Sequence, residues 1–433
     1  MRNKTQPPIL PMNGTNMARF FAARERGSVD AIRVAARIVS DVRKRGDAAV
    51  IAWTRKFDGV RLKPAEFWVS ARKRRAAPGM VDAPLLRGIE HAARNIRRVA
   101  ERQKPREWSV EVEPGVRVAQ RVTPIETIGC YIPGGRASLV STLLMTCIPA
   151  RVAGVRRIVV ACPKPNAAIL AAAEMLGLTE ILRIGGAQAI AAMAYGTRTI
   201  PRVDKIFGPG NRWVDAAKRI VSSDCAVDLP AGPTEVLVLA ERGNPAWIAA
   251  DLLAQGEHDP DAVAVFVTTS AKLAHEVAEA VEVQLGDLPS SNPAQKSLRK
   301  PGTIFVARNL SAAYEFANRF APEHLSLPGC TAVPEEIRAA GSIFLGPHAA
   351  QSIGDYASGT NHVLPTSGWA HSRGGLSTSD FVKCTTVQHV TPRGLQRLAP
   401  VVRALAQAEG LIAHERGVTR RLRTVEPISG ELS

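Results

Sequence analysis

From Thr127 onward the chain alternates short runs rich in β-branched residues with Gly/Pro turns and alanine-rich, helix-length stretches, and no other feature limits its fold as much. Such alternation is the mark of βα units feeding a parallel sheet. A first series predicts strands at 128–132, 157–161, 180–184 and 205–207, with turns at Pro133-Gly134-Gly135, Gly185-Gly186 and Gly208-Pro209-Gly210-Asn211. A second predicts strands at 236–239, 263–268, 303–306 and 342–345, separated by helices at 245–256, 272–285 and 310–320. Each series has the content of one α/β domain, and the two can be structurally alike without a residue-level repeat. Upstream, Val29, Ile32, Ala36 and Val39 recur at helix spacing, and a second scaffold helix is expected at 89–102. Past about Phe381 the strands are expected to stop, leaving a basic helical tail at 395–407 and 420–423 too small for its own core.

At 433 residues the chain is long enough for two to three domains of about 150 residues each. A hydrophobic content of 45% and a charged content of 22% exclude collagen-like, low-complexity and disordered classes. The charge is less ordinary, since 56 Lys and Arg against 39 Asp and Glu leave +17. Nucleic acid, lipid headgroups or small anions are the partners such a charge suggests. The densest runs, Arg72-Lys73-Arg74-Arg75 and Arg420-Arg421, are nevertheless short, and aromatics make up only 5%, which favours a solvated basic surface over a nucleic-acid interface. The six cysteines include no CxxC pair, so neither a thiolate metal site nor a redox motif is expected. The N-terminus has no apolar signal region, and the most apolar stretch, 139–155, is interrupted by Pro149 and Arg151. A cytoplasmic, soluble protein without a membrane segment is the expectation.

None of the glycine turns is the GxGxxG dinucleotide fingerprint. Each alone reads equally well as a plain turn, but three at strand ends of one sheet point to a nucleotide or phosphate ligand. The helix opened by Asn244 and Pro245 carries Gln255 and His258, three apart on one face, which could ligate a metal or be merely structural. Ala321-Pro322-Glu323-His324-Leu325 sets a carboxylate beside an imidazole, either for acid–base work near neutrality or as a solvated loop. Asp355 and His362 lie seven apart in a glycine-rich segment too irregular for a core element. Glu409 and His414, separated by a helix break at Gly410, read from the residues alone as surface groups.

Taken in order, these segments resemble the histidinol dehydrogenases over roughly 29–423. The likeness rests on YIPGG (131–135), GGAQAIAA (185–192), DKIFGPGN (204–211), DLPAGPTEVLV (228–238), QGEH (255–258), PEHL (322–325) and GDYASGTNHVLPT (354–366). It implies an α/β fold of two Rossmann-like parallel-sheet domains with an incomplete, non-standard dinucleotide motif, plus helical N- and C-terminal extensions that pack across a dimer. The implied boundaries are an extension at 1–27, a first domain of 28–127 and 236–380 with the metal and catalytic residues, an NAD-side domain at 128–235, and a tail at 381–433 donated to the partner subunit. The implied activity is two successive NAD-dependent oxidations of L-histidinol, through the aldehyde, to L-histidine. One zinc per subunit would be held by Gln255, His258, Asp355 and His414 of the partner subunit. The resemblance makes His324 the general base and Glu323 the group that activates water. It puts Thr234, Gln255, His258, His324, Asp355 and His362 at the substrate, with the partner's Glu409 and the partner's His414, and Tyr131, Gln188 and Asn211 at NAD. A same-fold zinc enzyme acting on another alcohol, such as a sulfopropanediol, is the alternative. Departures from the family pattern are Gly256 for Ala, Ala321 for Gly, Thr234 for Ser, and an idiosyncratic stretch at 367–374.

Overall fold

The computed structural model describes residues 6–25, 29–134, 139–229 and 232–422. They fall into two compact units, one formed by Met1–Gln103 with Ile125–Phe381 and the other by Lys104–Pro124 with Val382–Ser433.

The larger unit holds two parallel sheets. In one, strands β4 (Thr127–Tyr131), β5 (Arg157–Ala161), β6 (Glu180–Leu182), β7 (Lys205–Phe207) and β8 (Ala226–Val227) lie in the order β6-β5-β4-β7-β8. In the other, β1 (Ile9–Pro11), β9 (Glu235–Leu239), β10 (Val263–Thr268), β11 (Ile304–Val306), β12 (His324–Leu327) and β13 (Ser342–Leu345) lie in the order β1-β11-β10-β9-β12-β13. These strands form because their apolar runs are covered on both faces. Along β9, Val236 and Val238 pack with Leu252 and Val277 on one face, while Leu237 and Leu239 pack with Phe316 and Phe320 on the other. The eight strands expected from the sequence all fall within these two sheets, and the two series do share one strand order.

Three expectations change. Within the expected extension at 1–27, the described residues 6–25 join the larger unit: β1 pairs in parallel with β11, and the helix Gly14–Glu25 inserts Phe20 and Phe21 among Phe305, Phe316 and Phe320. Aromatic side chains of that size are stable only when covered, so the segment belongs to the sheet's core. The helices Val29–Arg45 and Asp47–Asp58 bury Ile38, Val42, Ala49 and Val50 against Val159, Leu182 and Ile206, so 29–58 packs on the β4–β8 sheet rather than with 236–380.

The third change is in the tail, which opens with a strand. In the smaller unit β14 (Val382–Val390) pairs antiparallel with β3 (Val116–Pro124), and β3 with β2 (Trp108–Glu113). Most of β2 and β14 is exposed on both faces within the chain; β2, WSVEVE, alternates apolar and polar residues, whereas β14, VKCTTVQHV, keeps no strict alternation. The helices Pro392–Ala408 and Ile412–Leu422 complete this unit. No described helix is long and apolar enough to cross a membrane. All six cysteines are free.

Candidate active site

The helix Leu310–Phe320, capped by Asn309, ends at Ala321 in a left-handed conformation, φ 45°, which turns the chain through Pro322 into β12. That turn carries Glu323 and His324 to the start of a central strand rather than to a solvated loop. Both are buried, at 6% and 3% exposure. Their neighbour is β9, with His324 in register with Val236.

The backbone of Glu235, the first residue of β9, serves both groups, through the two peptide groups that flank its Cα. Its N–H donates to Glu323 Oε2 at 2.7 Å, and its carbonyl accepts from His324 Nδ1 at 3.0 Å. A carbonyl can only accept, so Nδ1 carries a proton, and Nε2 is the ring nitrogen left to gain or lose one. Thr234 Oγ1 donates to Glu323 Oε2 at 2.6 Å, and His324 Nε2 lies 3.5 Å from Asp355 Oδ1. Burial pushes the Glu323 carboxyl up, against the pull of His324 and the Thr234 and Glu235 donors. Burial works to lower His324, but the Glu323 charge and the Asp355 contacts outweigh it and leave the imidazole above its usual value. Burial raises Asp355, and the hydrogen bond and charge of His324 more than reverse this, so it stays below the usual range. Burial lowers His362.

Around this pair the larger unit collects most of the expected ligands. Gln255, fully buried near the end of the helix Pro245–Gly256, donates to Thr234 Oγ1 and accepts from Gln351 Nε2. The helix ends before His258, which therefore does not share its face with Gln255; His258 is exposed and close enough for its charge to act on Asp355 and His362. His362 donates from Nδ1 to the Asp355 carbonyl at 3.0 Å and places Nε2 3.1 Å from Thr142 Oγ1. Among the described residues no three His, Cys, Asp or Glu side chains gather as a metal cluster. The expected in-chain set reaches only two of those types, His258 and Asp355, its third member being an amide.

The expected nucleotide contacts lie on the β4–β8 sheet. Tyr131 ends β4, and its hydroxyl accepts from Gly186 N at 3.1 Å; burial pushes the phenol up to about 12. Gln188, on the helix Gly186–Tyr195, is buried with neither amide atom paired among the described residues. Asn211 caps the helix Arg212–Val221, accepting from Trp213 N and Val214 N. Gly208, at φ 112°, is obligatory there, because a Cβ would stand 2.1 Å from the Tyr131 carbonyl oxygen. The loop is held by a buried ion pair of Lys218 and Asp228, with Lys218 donating also to the Gly208 carbonyl and Asp228 accepting from Gly208 N. Of the glycine turns, Gly135 lies outside the described residues.

Glu409 and His414 belong to the smaller unit. Glu409 caps the helix Pro392–Ala408, Gly410 takes φ 72° as the expected break, and His414 is in the first turn of the next helix; both side chains are exposed. Sequence reading passed over Thr142, Glu235 and Gln351. The signal for each is a polar residue in an apolar setting, most plainly the glutamate that opens the wholly buried run EVLVL.

A buried acid–imidazole pair, oriented by the backbone of one residue in a fold with two parallel sheets, defines an α/β enzyme with acid–base groups in its site. The sequence profile of histidinol dehydrogenase matches residues 22–422. Histidinol dehydrogenase of Methanothermobacter thermautotrophicus is 48% identical over 404 residues, covering 91% of this chain and 94% of that protein. That of Agrobacterium fabrum is 46% identical over 412 residues, covering 94% and 95%. The crystal structure of histidinol dehydrogenase from Elizabethkingia anophelis superposes with a TM-score of 0.90 at 38% identity, covering 98% of this chain and 99% of that one. The chain belongs to the histidinol dehydrogenase family.

Proposed function

We propose that the chain oxidises L-histidinol through the aldehyde to L-histidine in two NAD-dependent steps, the end of histidine biosynthesis, as a cytoplasmic enzyme. The observation that carries this reading is the buried Glu323–His324 pair held by the backbone N–H and carbonyl of Glu235.

In the first step His324 Nε2 accepts the hydroxyl proton as the hydrogen on carbon leaves as hydride, and the C–O bond becomes a carbonyl. In the second, Glu323 takes a proton from water as the water oxygen bonds to the aldehyde carbon. Once His324 has released its first proton to solvent, the resulting hydrate anion loses its own hydride while His324 accepts the remaining hydroxyl proton, which leaves the carboxylate. NAD supplies the hydride acceptor once in each step and would lie against Tyr131, Gln188 and Asn211, where the unpaired Gln188 amide offers both a donor and an acceptor. Thr234 keeps Glu323 oriented, and His362 is directed by Thr142 and the Asp355 carbonyl.

The donor set fits zinc: an amide oxygen, an imidazole nitrogen and a carboxylate oxygen, with no thiolate, suit an open, substrate-binding site. A buried Gln351 Oε1 without a partner among the described residues, beside Gln255, supports a cation there. Gln255, His258 and Asp355 would hold it with His414 of the partner subunit, and the metal would orient the substrate's nitrogens. In the smaller unit Leu405, Leu411 and Ile412 are exposed around Glu409 and His414, which supports a dimer with shared sites.

The test is stoichiometry: limiting L-histidinol, excess NAD, and NADH counted per histidinol, repeated after chelation and zinc return. Two NADH, lost with the chelator and restored by zinc, is the expected result. No NADH from histidinol, with turnover of a sulfopropanediol or another alcohol instead, would move the substrate.

A further inference from the structure

The catalytic pair is oriented from one face of the sheet, but the residue that orients it is gripped from the other. Glu235 follows the alternation of β9: its side chain points with Leu237 and Leu239 toward the layer containing Phe21 and Phe320, away from Val236 and the His324 ring. In that layer Arg24, near the end of the helix Gly14–Glu25, donates from Nε to Glu235 Oε1 at 2.8 Å and from Nη2 to Oε2 at 2.7 Å. The same guanidinium donates from Nη1 to the Phe320 carbonyl at 2.7 Å and lies over the Phe320 ring, 4.1 Å from its centroid. Phe320 is the last residue of the helix that turns into Glu323 and His324. The backbone N–H of Ser367 completes the carboxylate's shell at 3.2 Å.

Building on the proposed function, we infer that Arg24 is a positioning residue for both oxidation steps: it clamps Glu235 and the end of the 310–320 helix together, and so fixes the one residue whose backbone N–H and carbonyl aim Glu323 and His324.

Three features argue for more than general stabilisation. The ion pair is bidentate, which fixes direction as well as distance. Glu235 is the first residue of its strand, the position most prone to fray, and its N–H and carbonyl point to the two reacting groups. Arg24 also touches both chain segments that deliver the site, β9 through Glu235 and β12 through Phe320, although it lies 211 residues from one and 296 from the other. Without Arg24 a carboxylate only 1% exposed keeps one neutral donor, so it must either take up a proton or draw the strand end toward water. Either way the Glu235 backbone moves, and misplacement by about 1 Å costs on the order of a hundredfold in rate.

The test uses full-length, zinc-loaded protein, with steady-state rates measured for histidinol and, separately, for the aldehyde. Arg24→Met should lower kcat roughly thirtyfold with either substrate while both KM values stay within about threefold, because the backbone of one residue serves both steps. Adding Glu235→Gln to Arg24→Met should recover at least about threefold, since a neutral amide needs no counter-ion. Arg24→Lys, which keeps the charge but loses the fork, should fall in between and decides the matter if Arg24→Met does not fold. Wild-type kcat in a folded Arg24 variant, a loss confined to KM or to one of the two substrates, or no recovery in the double variant would overturn the inference. Wild-type turnover measured alongside keeps the cases apart: if the unaltered protein does not oxidise histidinol, the proposed function fails first.

Discussion

In both parallel sheets five strands follow one path, three laid down in one direction and two added on the far side of the first, giving β6-β5-β4-β7-β8 and β11-β10-β9-β12-β13, the second extended by β1 beside β11. The two sheets present their functional candidates at opposite ends. On the β4–β8 sheet Tyr131 ends β4, while Gln188 and Asn211 follow β6 and β7, so all three stand at the carboxyl ends, Tyr131 and Asn211 on the two strands that flank the β4/β7 switch point. On the other sheet Thr234, Glu235, Glu323 and His324 stand at the entries to β9 and β12, the amino ends. The difference follows from the helices. Carboxyl strand ends face helix N-termini, which favour phosphates, whereas amino strand ends face helix C-termini, which favour cations and protonated bases. Gln255 sits in the last turn of its helix, where a cation gains from that field. One βα arrangement used twice, from opposite ends, can therefore serve an anionic nucleotide and a cationic substrate centre. Contacts from Thr142 to His362 and from Asn361 to the Met145 carbonyl, 2.7 Å, bring the carboxyl end of one sheet to the amino end of the other.

The sharpest way to break this division is at the amino-end pair. Glu323→Gln and His324→Gln should each lower kcat by about 10²–10⁴ with little change in the KM for NAD, read from initial rates with both reactants varied. A comparable rise in the NAD KM would mean the two ends are not separate. Next comes the shared site: His414→Ala and Glu323→Gln should each be inactive alone, and an equal mixture after subunit exchange should regain about a quarter of wild-type activity, one intact site in each mixed dimer. On the carboxyl-end side, Lys218→Met would leave Asp228 buried without its cation, and chemical denaturation should register a loss of about 3–5 kcal/mol. Gln188→Ala should raise the NAD KM about tenfold, the value of one or two hydrogen bonds, without altering histidinol binding measured by calorimetry.

The smallest effect concerns Asp251, which burial raises from 3.8 to about 6. A raised carboxyl favours the folded state while protonated, so its contribution is present below pH 4 and is lost as pH rises through 6. Asp251→Asn should therefore leave stability at pH 4 unchanged and raise it by about 1–2 kcal/mol at pH 8, followed by thermal melting across that range.

The legible parts of the fold were those whose physics is local. Strands such as β9 and β10 are apolar throughout, and Asn244-Pro245 marks a helix start from residue type alone. β14 buries too little within the chain to carry a pattern, whereas β2 does alternate, with Trp108, Val110 and Val112 on one face, and the sequence reading passed over it. The same division runs through the site. The motif residues of the acid–imidazole pair could be named, but not their burial, since that depends on β9 lying beside β12. Arg24 and Glu235 were invisible for the same reason, as an ion pair across 211 residues leaves no trace in spacing. Ala321 is intermediate: its φ of 45° explains why glycine is common in that place, yet nothing local to the sequence announces the turn.

The most direct test of the account is a crystal structure with NAD and L-histidinol bound together. The dinucleotide should cross the Gly208 loop at the carboxyl end of β4, with the histidinol hydroxyl carbon within reach of His324 Nε2 at the amino end of β12. A nucleotide lying instead at the carboxyl ends of β9 and β12, or a substrate hydroxyl turned away from His324, would contradict it.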